Sequence, residues 1–118
     1  MEISVSRNRA ALAWLAQAIT GLLLVMLLIV HLVANHFIVP GGLQTYQDVV
    51  NYLSNPAIFI LEITFLMAVT GHALLGVRAI LIDRGMTPAA KSRLDSRLWI
   101  LGTAVVIYGL LLSIVIIT

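Results

Sequence analysis

Three long apolar stretches separated by two polar ones organise this chain. They run from about residue 11 to 37, from 56 to 82 and from 98 to 118. Each reaches the ~20 mostly apolar residues that carry an α-helix across bilayer hydrocarbon. A helix satisfies its own backbone polar groups in lipid, so the pattern predicts an all-α membrane protein with three transmembrane helices. Pro40-Gly41-Gly42 marks a turn after the first span. Leu43, Tyr46, Val49 or Val50, and Leu53 then recur at helical spacing. Residues 43–53 are therefore expected to form a short helix in the membrane interface, its tyrosines at headgroup depth. Asn55 and Pro56 read as the cap and first position of the second span. Gly85 and Thr87-Pro88 end it. Residues 83–97 are polar and read as a loop. Trp14 and Trp99 occupy interfacial positions, and Gly102 and Gly109, seven residues apart, offer one small-residue packing stripe.

Composition agrees with the pattern. Of 118 residues 61% are apolar and 10% charged, with a mean hydropathy of +1.07; a soluble domain averages roughly 25% charged. So short a chain cannot bury that much apolar surface in one soluble core, and the spans leave no room for a soluble catalytic domain. The chain is read as one membrane domain over 1–118, without repeats. There is no cysteine, which excludes disulfides, iron–sulfur ligation and thiol catalysis within the chain. Arg7 and Arg9 before an apolar run resemble the start of a signal peptide, but the run far exceeds the ~7–15 residues of such a core. It is read as a true first span.

Charge adds orientation. Arg7 and Arg9 flank the first span; Arg84, Lys91, Arg93 and Arg97 lie between the second and third, on the same side by parity. The connection between the first two spans has no Lys or Arg. The positive-inside rule puts the N-terminus and loop 83–97 in the cytoplasm and the C-terminus outside. The membrane is expected to be a bacterial or archaeal cytoplasmic membrane rather than the mitochondrial inner membrane. Topology accounts for the net charge of +2, and no nucleic-acid motif is present.

An ionisable side chain at membrane depth is a functional candidate by default, and His72 lies near the middle of the second span. It serves either as a neutral histidine hydrogen-bonded to a neighbouring helix or as an axial ligand of haem iron. Gly76, one turn on, removes side-chain bulk where a porphyrin would lie. Asp83 is about 20° away in projection and about 16 Å along the axis. Arg78 lies between them, either snorkelling to the interface or pairing with a haem propionate or anionic lipid headgroup. His31, which shares a face with Asn35, is a secondary ligand candidate; His36 lies near the aqueous boundary. Glu62, in the second turn of its span, either supports the helix N-terminus or transfers protons. His31 and His72 sit at different depths on antiparallel helices. A second axial histidine is therefore expected from a partner subunit.

The motif His72-Ala-Leu-Leu-Gly76-Val-Arg78 with Asp83 resembles the H-x-x-x-G-x-R/W-x-x-x-x-D pattern of the small membrane-anchor subunits of succinate dehydrogenase (succinate:quinone oxidoreductase, respiratory complex II) and the related fumarate reductases. Thr20-Gly21 resembles the family's R-x-S/T-G element, and HLVANHF over 31–37 and the lead into the second span are also similar. Order and spacing together cover nearly the whole chain. The resemblance implies one half of a two-subunit anchor bundle, cytochrome b556-like, serving electron transport and the tricarboxylic acid cycle. It implies three partners: a second membrane-anchor subunit, an iron–sulfur subunit and a flavoprotein subunit, the last two carrying Fe–S clusters and FAD. It further implies one haem b shared with the second anchor, with His72 as ligand, and a quinone as substrate. Asp83 and Arg84 become candidates for the rim of the quinone site, and loop 83–97 for docking the iron–sulfur subunit. Two departures matter. Arg84 stands where many members have a quinone-bonding tyrosine, and Ala18 stands where the R-x-S/T-G arginine would fall. Gln17 occupies roughly the place of a second-haem histidine in two-haem relatives, which argues for at most one haem.

The expected function is thus that of a non-flavin anchor subunit, not catalytic alone. One rival is a small proton-coupled or assembly membrane protein without redox cofactor, using His72 and Glu62. Another is an anchor of the same complex that holds no haem.

Overall fold

A computed structural model describes residues 2–118, with side chains from Ser4 onward. Its described residues form four α-helices and no strand: α1 (Glu2–Val33), α2 (Tyr46–Leu53), α3 (Pro56–Asp83) and α4 (Pro88–Ile117). A π-helical segment, Ala34–Ile38, continues α1. Ser4–Ile38, Pro56–Asp83 and Pro88–Ile117 are long and apolar enough to cross a membrane, as the hydrophobic pattern predicts.

Two helix starts differ from expectation. α1 begins by Glu2 rather than near residue 11, and α4 begins at Pro88 rather than Leu98. The polar stretch expected as a loop over 83–97 is mostly the first turns of α4. Thr87 caps it by accepting a hydrogen bond from the Ala90 amide, at 3.2 Å, and Pro88 is preorganised for the first turn. Ala89, Ala90, Lys91, Arg93 and Leu94 then all favour helix. Hydropathy locates the membrane, not the helix end, so a charged helical extension looks like a loop. Only residues 84–87 connect α3 to α4. Gly85, at φ 84°, supplies the left-handed residue that stops α3.

The interfacial helix is shorter than the expected 43–53. Thr45 begins it with a capping box: its hydroxyl accepts from the Asp48 amide at 3.2 Å, and its own amide donates to the Asp48 carboxylate at 2.9 Å. The Thr45 amide, the Thr45 hydroxyl and the Gln44 amide hold the Asp48 carboxyl below the ordinary aspartate range.

α3 is the central helix and packs against both α1 and α4. The α3–α4 seam uses the predicted glycine stripe. A Cβ on Gly102 would lie 2.6 Å from Leu74 Cδ1, and one on Gly109 2.5 Å from Leu66 Cδ2. Each glycine is thus the hole into which an α3 leucine fits. Ala34 of the π-helical segment, Tyr52 of α2 and Ile58 of α3 form the one buried apolar cluster among the described residues. Many other large apolar side chains point outward, including Leu12, Leu22, Met26, Ile60, Ile80, Ile100 and Val115. An exposed apolar surface this continuous is the surface of a protein solvated by lipid.

Candidate functional site

Three polar ties hold the bundle, at three levels, and each has one end on α3. Nearest the 84–87 connection, Arg78 donates to Asp95 of α4, with Nε 2.6 Å from Oδ1 and Nη2 3.4 Å from Oδ2. Arg78 is therefore engaged by a carboxylate of its own chain rather than standing free for a propionate or headgroup. Both side chains retain partial exposure, at 34% and 42%, so the pair is half-solvated and screened. Beside it, Arg9, Gly71, Leu75, Trp99 and Gly102 help line a cleft of about 550 Å³.

The middle tie carries His72. Its Nδ1 lies 3.1 Å from the Thr20 hydroxyl of α1. The ring can come this close because residue 21 is glycine: a Cβ there would sit 3.1 Å from His72 Cε1. One turn along α3, a Cβ on Gly76 would meet Gln17 Nε2 at 3.2 Å. The space that Gly76 leaves is thus occupied by the Gln17 amide of α1, where a porphyrin edge was expected. Gln17 Oε1 is buried and has no partner.

The third tie lies toward α2. His31 Nδ1 sits 2.8 and 2.9 Å from the two Glu62 oxygens, and the Tyr52 hydroxyl donates to Glu62 Oε1 at 2.6 Å. His31 also stacks on Phe65, ring centroids 5.1 Å apart. Burial, and next the hydrogen bond to Glu62 and its charge, push the Tyr52 phenol well above the ordinary tyrosine range. The Asn35 amide donates to the His31 carbonyl. Neither His31 nor Glu62 stands alone, as the sequence suggested.

The site residues therefore do not converge on one point. Glu62 is ten residues from His72 on α3, so its partner His31 lies about 15 Å from the His72 level by helix rise. His36 is exposed in the π-helical segment, and Asp83 and Arg84 are exposed at the end of α3. Among the described residues no three His, Cys, Asp or Glu side chains are placed to hold a metal ion. The Nδ1 edge of His72 is engaged by Thr20, and Nε2 makes no hydrogen bond to the described residues, so its lone pair would fit a haem iron as a donor. Sequence reasoning missed Asp95 and Tyr52 as participants, and it noted Gln17 without its place beside Gly76. One signal was available: eleven residues separate Thr20 from His31 and ten separate Glu62 from His72, the matched spacing of two rungs on antiparallel helices.

The sequence has relatives. The model of the succinate dehydrogenase/fumarate reductase transmembrane subunit family matches residues 3–116. A protein of Archaeoglobus fulgidus named as a succinate dehydrogenase hydrophobic membrane anchor subunit is 35% identical over 101 residues, covering 86% of each chain. One of Thermoplasma acidophilum with the same name is 30% identical over 101 residues, covering 86% of this chain and 82% of its own. With three spans, a mid-membrane histidine and this likeness along almost its whole length, the chain belongs to the succinate dehydrogenase/fumarate reductase transmembrane-subunit family.

Proposed function

We propose that this membrane-anchor subunit, paired with a second anchor subunit, holds the flavoprotein and iron–sulfur subunits of a succinate:quinone oxidoreductase at the cytoplasmic face. There it contributes one axial ligand, His72, to a shared haem b, and Asp83 and Arg84 to the rim of a quinone site. The observation that carries the haem reading is His72 itself: a mid-membrane imidazole with one nitrogen engaged and the other without a hydrogen-bond partner among the described residues. A haem bound there supplies a one-electron redox centre within the bilayer. The chain's own residues position the imidazole, keep it in an apolar setting and leave the second axial position to the partner.

The basic residues support the orientation. Arg84 and the first turns of α4, with Lys91, Arg93 and Arg97, form a charged end suited to meeting a soluble subunit. Asp83 and Arg84 are exposed there and so available to a quinone headgroup held between subunits. Asp83→Asn and Arg84→Ala are expected to raise the KM for quinone while leaving haem absorbance unchanged.

The test of the haem reading is a dithionite-reduced minus oxidised visible spectrum of the purified complex, wild type against His72→Ala. A b-type band that disappears in the variant is the expected result. A band that persists moves the ligand to His31, His36 or another subunit. The absence of a band in wild type, with succinate:quinone activity intact, makes the chain a purely structural anchor.

A further inference from the structure

Thr20 has a single hydroxyl proton, and the shortest contact of its hydroxyl is to a carbonyl of its own helix. The hydroxyl lies 2.7 Å from the Ala16 carbonyl one turn back, 3.1 Å from the Gln17 carbonyl and 3.1 Å from His72 Nδ1. The carbonyls can only accept. With the proton committed to Ala16, the hydroxyl oxygen meets His72 with a lone pair. The imidazole must then carry its own proton on Nδ1. In a neutral imidazole only one nitrogen is protonated, so Nε2 is left with its lone pair free.

We propose that Thr20 is a positioning residue that fixes His72 as the Nδ1–H tautomer, and that Gly21 admits the ring to that hydrogen bond. The inference deepens the haem reading above and rests on it for its purpose, since iron takes an unprotonated nitrogen. The tautomer itself is a property of this chain alone. Any larger residue at 21 would need the ring to retreat, because a Cβ there lies 3.1 Å from Cε1. Thr20 and Gly21 thus act as one unit, a hydroxyl that orients and a gap that lets the ring reach it.

The test reads the tautomer directly. The full chain, labelled with ¹⁵N-histidine and reconstituted in bilayers, is examined by solid-state NMR at a pH where imidazole is neutral. The chain has three histidines, and His31→Asn and His36→Asn variants assign the His72 signals. Wild type is expected to show a protonated Nδ1 and an unprotonated Nε2 at His72. Thr20→Val, nearly the same shape without the hydroxyl, is expected to lose that single pattern to a mixture or to the Nε2–H form. Thr20→Ser is expected to restore it. An Nε2–H signal in wild type, or an unchanged pattern in Thr20→Val, overturns the proposal. In the assembled complex, Thr20→Val is expected to shift the haem midpoint potential upward, because the ligand loses an acceptor for its N–H. The two readings fail separately. A complex without a b-type band, with the Nδ1–H pattern present and lost in Thr20→Val, removes the haem and keeps the tautomer. A band lost in His72→Ala, with the pattern indifferent to Thr20, keeps the haem and removes the role of Thr20.

Discussion

At the residue scale, Glu62 is a side chain on which three helices meet. It accepts from Tyr52 and lies within hydrogen-bond reach of His31, tying α1, α2 and α3 at one point. Polar contacts between helices in lipid are worth about 0.6–2 kcal/mol each. Tyr52→Phe is expected to cost an amount in that range, measured by reversible unfolding in mixed micelles. Tyr52→Phe and Glu62→Gln together should cost less than the sum of the singles, since they share a bond. Asp95→Asn, by contrast, is expected to change stability by less than about 1 kcal/mol, because its pair with Arg78 is half-solvated. His72 was legible as a functional candidate from depth alone, since charge-capable groups are rare in hydrocarbon. Its partner was not: Thr20-Gly21 stood out as a motif element, but its pairing with His72 needed the register between α1 and α3. The pairing of His31 with Glu62 needed the register of two helices, which no single-segment periodicity contains.

At the element scale, the spans and their order were readable because lipid imposes a length and an apolarity that few other environments require. The glycine stripe was readable too, and its use is specific. Gly109→Leu should drive α4 off α3, since even a Cβ would lie 2.5 Å from Leu66; overpacking of this kind costs about 1–3 kcal/mol. Gly109→Ala combined with Leu66→Ala should recover much of the loss of Gly109→Ala alone, as judged by the same unfolding assay. The start of α4 was not readable, because charged residues after Thr87-Pro88 satisfy a helix as well as a loop. α2 carries its own pH dependence. The folded Asp48 carboxyl sits below its unfolded value, so the capping box is fully supported above the ordinary aspartate range, near pH ~3.9. Its contribution falls away as pH drops through the depressed folded value. An NMR titration should give Asp48 a midpoint below that of a free aspartate, with the Thr45 amide shifting in step.

At the scale of the whole molecule, the distribution of basic residues sets which end faces the cytoplasm, and the cysteine-free sequence makes this easy to test. Single cysteines at Ser92 and Gln47, both exposed, should react with an impermeant thiol reagent from opposite sides of the membrane, Ser92→Cys only from the cytoplasm. The three ties through α3 also govern how the molecule meets membranes of different thickness. Arg78, His72 and Glu62 clasp their neighbours at three separate levels of one rigid helix. A slide of α3 by a single turn, ~5.4 Å, would unfasten all three together. Axial slippage is therefore closed to this bundle as a way of relieving hydrophobic mismatch. It must instead lean as one body or draw the surrounding lipid to its own height, so the spacing between its mid-span imidazole and its charged end stays constant whatever bilayer surrounds it.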